Sequence, residues 1–202
     1  AQQGMSDRAL SLLEEAYGAD STNLTYARAL SAGYIEAGRM QDALHINERL
    51  SAADPEDDDV RYRLIQLYAR TGELKKGIQL ATELQKRFQP MPEAYGQLTK
   101  MKIQLLALSK DSVAVGREYR AWAALYPEDR RPYYDWILHL FQTGGAKEAE
   151  KQLASDVRAG RISSGDATAL RVHKYILQKD YPAAEAELVR LTPDKKIGAD
   201  EK

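Results

Sequence analysis

An all-α fold built from antiparallel helix pairs is what this 202-residue sequence predicts, and three observations predict it. Ala9, Ala43 and Gly77 stand 34 residues apart, and Ala149 and Ala184 stand 35 apart. Apolar residues recur at helical spacing on both sides of Gly38, Gly72 and Gly144. Pro55, Pro90, Pro127 and Pro193 fall between the units so defined. A period of this length marks stacked supersecondary units, each of which buries its apolar face only against a neighbour.

The units run in order along the chain. A leading helix over 6–18 carries Leu10, Leu12, Leu13, Ala16 and Tyr17. In the first full unit Leu24, Ala27, Leu30, Tyr34 and Ile35 form the stripe of helix A. Gly38 supplies the turn, because glycine tolerates the positive φ at which a helix ends. Helix B carries Ala43, Leu44, Ile46 and Leu50 and stops before Asp54 and Pro55. In the second unit Val60, Leu64, Leu67 and Tyr68 precede Gly72; Leu74, Ile78, Ala81 and Leu84 follow it, and Pro90 closes the unit. The third, near 92–126, is longer than 34 residues and has Ser109, Lys110 and Asp111 where a turn glycine is expected, which leaves the register of its helix A open. The fourth turns at Gly144, and the fifth ends in a short helix B from Pro182 to Leu191. One leading helix and five hairpins give about eleven helices. Ala43, Gly77, Ala149 and Ala184 are expected where paired helices cross, since close approach needs a side chain without bulk; Ala114 is the expected counterpart in the third unit.

Composition narrows the function. The formal net charge is −1, from 29 basic and 30 acidic residues. That balance gives no electrostatic reason to expect nucleic acid. No apolar run reaches the ~18 residues of a membrane span. The chain has no cysteine, so disulfides, thiolate catalysis and cysteine-ligated metals are excluded. Bacterial cytoplasm and periplasm are both compatible with that composition. Ala1 to Gly4 carry neither a basic n-region nor an apolar h-region, so no signal peptide is expected there, and residues 1–5 read as a tail or an expression remnant.

Chemistry-bearing residues are sparse. His45, His139 and His173 lie in separate units and form no i, i+4 pair, so they read as ordinary helix residues and no metal site is expected. Asp54 to Asp59 lacks the glycine and terminal glutamate of a calcium loop. Its carboxylates, like Glu128 and Asp129 after Pro127, are expected to cap a helix N-terminus. No nucleophile–histidine–acid set or phosphate loop can be assembled, so neither enzyme activity nor a cofactor is expected. Tyr34, Tyr68, Tyr119, Trp122, Tyr126 and Trp136 read as core.

The pattern resembles the tetratricopeptide repeat family. Leu30-Ser31-Ala32-Gly33-Tyr34 and Leu64-Ile65-Gln66-Leu67-Tyr68 are similar to its helix A signature, with Ser31 and Ile65 where glycine is frequent. Gly38, Ala43 and Pro55 match its turn, crossing and exit positions, and Asp180 to Ala184 look like its turn into helix B. Ala27 and Tyr133 stand where the family usually has tryptophan. The resemblance covers 6–193 as one repeat domain, with a polar tail over 194–202. It implies a right-handed superhelical α-solenoid and a non-catalytic scaffold that holds a protein or peptide segment in its concave groove. Groove positions carried over from the family are Arg28, Ala32 and Ile35, then Tyr62, Arg63, Gln66 and Arg70, then Tyr134, Leu138 and Phe141, and lastly His173. Arg28 and Ala32 replace the lysine and asparagine of the family's carboxylate clamp, which disfavours chaperone tails. The alternative role is a spacer or oligomerisation segment of a larger multi-repeat protein, such as a bacterial envelope or secretion assembly, with self-association through uncapped terminal helices.

Overall fold

A computed structural model describes residues 2–190, with side chains from residue 7 onward. Among them the chain forms eleven α-helices and no strand. The leading helix is α1 (Gln2–Ala19), so its backbone continues through residues 2–5, where a tail was expected. Five hairpins follow: α2 (Leu24–Glu36) with α3 (Met40–Ala53), α4 (Asp58–Thr71) with α5 (Leu74–Arg87), α6 (Pro92–Leu108) with α7 (Ser112–Leu125), α8 (Arg131–Gln142) with α9 (Ala146–Arg158), and α10 (Ser164–Leu177) with α11 (Tyr181–Val189). Pro193 and residues 194–202 lie outside the described residues.

Every hairpin turns on one left-handed residue: Gly38, Gly72, Lys110, Gly144 and Lys179, with φ between 59° and 84°. After four of the five, an amide reaches back five residues, as from Arg39 to the Tyr34 carbonyl at 2.8 Å and from Asp111 to the Leu106 carbonyl at 3.0 Å. These bonds satisfy carbonyls that the helix end leaves unpaired. Counting from the turn residue settles the register of the third hairpin. The residue five beyond it is Ala43, Gly77, Val115, Ala149 or Ala184, each buried. Val115 therefore takes the crossing place expected of Ala114, which is only half-buried. At Gly77 an added Cβ would come within 2.9 Å of a Leu105 methyl and 3.1 Å of the Tyr68 Cβ, so bulk is excluded there by packing. The additional length of the third unit sits in α6, which has 17 residues against 13 in α2 and 14 in α4. Three to four residues are about one helical turn. The apolar face of α6 is thereby kept in phase.

The chain divides into two compact units, with the division between Val115 and Gly116, inside α7. In the first unit α1 packs on α2, each helix from α2 to α5 packs on the next, α5 packs on α6, and α4 also meets α6. One core joins Leu30, Tyr34, Ala43, Leu44, Leu50, Val60, Leu64 and Tyr68, and a second joins Ile65, Ala81, Leu84, Leu98 and Leu105. In the second unit α8 packs on α9 and α10, and α10 on α11, around Ile137, Leu140, Phe141, Ala149, Leu153, Ile162 and Leu170. Complete burial of one such side chain favours folding by ~1.5–3 kcal/mol.

The inter-repeat loops behave largely as the acidic runs imply. Asp57 caps α4 by accepting the Val60 amide at 3.1 Å. That bond, together with the Arg28 guanidinium, holds its carboxyl below the ordinary aspartate range. Asp129 differs from expectation: Arg130 is the N-cap of α8, and Asp129 binds the backbone and guanidinium of Arg131 and the Trp122 indole one step earlier. Charge pairing with the neighbouring Arg131 draws it there.

Candidate partner-binding surfaces

Residues ten places before each turn residue are equivalent, which matches Arg28 of α2 with Tyr62 of α4 and Tyr134 of α8. The structure gives the three different tasks. Arg28 is spent on an ion pair with Asp57 at the start of α4. Tyr62 is half-buried, its ring 6.3 Å from that of Phe88, and burial raises its hydroxyl pKa. Tyr134 donates its hydroxyl to Asp166 of α10; burial first, then that bond, pushes its pKa up to about 12. Both tyrosines, expected to line the groove, are half-buried and take part in packing.

Three places before the turn residue the sequence holds Ile35, Ala69 and Phe141, and all three pack into cores. Phe141 is 8 % exposed, and this corrects its assignment to a groove. It follows Ile137 by four residues, so the two share a face of α8, and Ile137 is at the centre of the core. Leu138 is half-buried against the same core, while Ala32, Gln66 and His173 are exposed. Trp136, expected in the core, is only half-buried. Its ring lies 5.8 Å from His139 in a stacked arrangement and 5.5 Å from Tyr119. Burial lowers the His139 pKa.

Two cations of α4, half-buried Arg63 and exposed Arg70, are differently placed. Arg63, Gln66 and Arg70 follow one another at helical spacing along a single face. Neither guanidinium has a carboxylate partner among the described residues; Arg70 only approaches the Met40 sulfur at 3.7 Å. Elsewhere in the first unit Arg28, Arg39, Arg61 and Arg87 are ion-paired, while Arg49 meets only the Ser21 carbonyl and the Tyr17 ring.

A second arrangement escaped the sequence reading. Tyr34 donates to Glu14 and Tyr68 to Glu48, each at 3.0 Å. A cation covers each tyrosine and grips the same glutamate: Arg39 in the first case, Lys76 in the second. Those cations are paired with Asp42 and Glu73 respectively, so acid and base exchange places between positions 34 residues apart. The signal lay in the 20-residue spacing shared by Glu14 with Tyr34 and Glu48 with Tyr68.

Residues 34–100, from the last turn of α2 into α6, match the family model for the tetratricopeptide repeat. The fold is a tetratricopeptide-repeat solenoid. A crystallised tetratricopeptide repeat protein from Parabacteroides merdae aligns over 97 % of this chain and 75 % of its own, with a TM-score of 0.57 and 17 % identity. BtubC (BKLC) from P. vanneervenii aligns over 98 % and 94 %, with a TM-score of 0.52 and 13 % identity. YrrB, a TPR protein with an unusual peptide-binding site, aligns over 90 % and 93 % at 14 % identity with a TM-score of 0.44. The likenesses to the Parabacteroides merdae protein and to BtubC are of fold. No curated protein matches the chain. Among the described residues of the solenoid no group of histidine and acidic side chains could hold a metal ion, and no helix is long and apolar enough to cross a membrane.

Proposed function

We propose that this tetratricopeptide-repeat chain is a non-catalytic scaffold that binds a segment of another protein, and that in its first unit the segment lies along α4. The observation that carries the reading is the pair of guanidiniums at Arg63 and Arg70, two turns apart and free of carboxylate partners, with exposed Gln66 between them. Arginine binds carboxylates in bidentate, charge-assisted geometry and is enriched among interface anchors. The matching segment carries acidic side chains at a spacing of about one to two helical turns. Tyr134, Leu138 and His173 would line the corresponding surface of the second unit.

A photoactivatable amino acid placed at Gln66 tests this in the source cell. The expected result is one dominant cross-linked protein, lost when Arg63 and Arg70 are both replaced by glutamate. A cross-link that survives the double charge reversal refutes the assignment of α4.

A second reading, an oligomerisation segment of a larger assembly, is favoured by one observation. Ile176 and Leu177 of α10 and Tyr181, Leu188 and Val189 of α11 are exposed large apolar side chains, from 46 % to 63 % accessible.

A further inference from the structure

The second unit contains a cleft of ≈ 340 Å³ between α7 and α9, floored by α8. Its α7 wall is low because Ala123 and Ala124 stand there, and its floor is aromatic, made by Tyr119, Tyr133 and Trp136 with Pro132. Trp136 is held in place by His139 and Tyr119, and its ring edge reaches the bare backbone at Gly116, where an added Cβ would meet it at 3.1 Å. The floor is therefore preformed.

Charge gives the cleft a sign. Its one acid, Asp156, is buried and already neutralised: Arg161 donates to it at 2.6 Å and Gln152 at 3.0 Å. The Arg161 guanidinium also lies 5.5 Å from the centre of the Tyr133 ring. Arg120, on the α7 lip, is exposed and has no carboxylate partner among the described residues. One free guanidinium thus faces an aromatic floor.

We infer that this cleft is a second binding site, separate from the α4 surface, that takes an acidic peptide through an aromatic side chain laid on Trp136 and a neighbouring carboxylate paired with Arg120. The volume suits one or two side chains rather than a folded surface. Aromatic stacking rewards a planar guest, and a guanidinium selects a carboxylate beside it. A single free cation does not suit a polyphosphate chain, whose affinity rests on several neutralised phosphates.

A fluorescein-labelled peptide alternating glutamate with phenylalanine tests the inference on the full chain, by anisotropy and by tryptophan emission. Trp122 is wholly buried, so a change in emission on binding reports Trp136. The expected result is that Arg120→Glu weakens binding at least tenfold and that Arg120→Lys stays within about threefold of the parent. Ala124→Trp, which fills the cleft from an exposed position, should also abolish binding while helicity is unchanged. Arg63→Glu with Arg70→Glu should leave binding at the cleft, read by Trp136 emission, as it was, so failure here is distinguishable from failure of the α4 proposal. Unchanged affinity in both Arg120→Glu and Ala124→Trp overturns the inference. So does equal binding of a peptide with glutamine for glutamate, or of a single-stranded oligonucleotide of equal charge.

Discussion

At Lys110 and Lys179 an L-residue holds the left-handed turn that glycine holds in the other three hairpins. The left-handed region costs a residue with a Cβ ~1–2 kcal/mol, while glycine loses ~0.5–1 kcal/mol more chain entropy on folding. Lys110→Gly and Lys179→Gly should therefore each raise stability by about 0.5–1 kcal/mol, measured as a higher urea midpoint with an unchanged slope. Asp156 shows the opposite sensitivity. Its carboxylate is buried and Arg161 is its cationic partner. Removing the partner of a buried charge costs ~3–5 kcal/mol when both are enclosed. Arg161 keeps 42 % of its side chain in solvent, so Arg161→Ala should cost less, about 2 kcal/mol in thermal unfolding. Tyr68 gives a pH dependence. Burial, and then its bond to Glu48, push its pKa up to about 12. An unfolded tyrosine titrates near ~10, so this contribution is intact below that pH and is lost as pH rises towards 12. Tyr68→Phe should cost about 1 kcal/mol near neutrality and should flatten the alkaline fall in melting temperature.

Between neighbouring hairpins the same place is filled by different chemistry. Asn47 donates to the Ser31 hydroxyl at 2.5 Å, both wholly buried, between α3 and α2. In the next hairpin, 34 residues on, the equivalents are Ile65 and Ala81, equally buried. The Asn47 amide nitrogen bonds Ser31, but its buried Oδ1 has no partner among the described residues, so the polar pair is the costlier solution; a polar group facing an apolar one would be costlier still. Asn47→Ala alone should cost roughly 1–3 kcal/mol, and the pair Ser31→Ile with Asn47→Ala should recover most of it. Additive effects in that double-mutant cycle would deny the coupling. The same hairpins show which parts of the fold were readable. Turns, stripes and most small crossing residues are local, so glycine, period and proline announced them; at Ser109–Asp111 the turn residue itself stayed open, and with it the crossing place at Val115, because lysine rarely adopts positive φ. Which flank of a stripe is buried depends on how many neighbours surround the helix. Ile35, Ala69 and Phe141 share one place before the turn and all pack inward, yet motif matching read Phe141 as surface. The α7–α9 cleft was illegible for a related reason: it joins residues of three helices whose sequence spacing carries no period.

At the scale of the whole molecule, repeat solenoids bury each unit's apolar face against the next, so exposed apolar side chains on the α10–α11 hairpin are where association would start. Tyr181, Leu188 and Val189 of α11 are all about half exposed or more, alongside Ile176 and Leu177 of α10. Exposed apolar patches larger than roughly a few hundred Å² usually mark an interaction surface. The chain's net charge of −1 supplies almost no long-range repulsion to oppose it. We expect the sedimentation-equilibrium mass of this chain to rise with concentration, and Leu188→Glu combined with Val189→Glu to hold it at the monomer with the helical spectrum retained. The two substituted carboxylates would have to be desolvated in any contact across that face, at a cost of several kcal/mol. A parent chain that stays monomeric across the same range would show that the α10–α11 surface is not an association site, and would leave the binding scaffold as the better reading of the molecule.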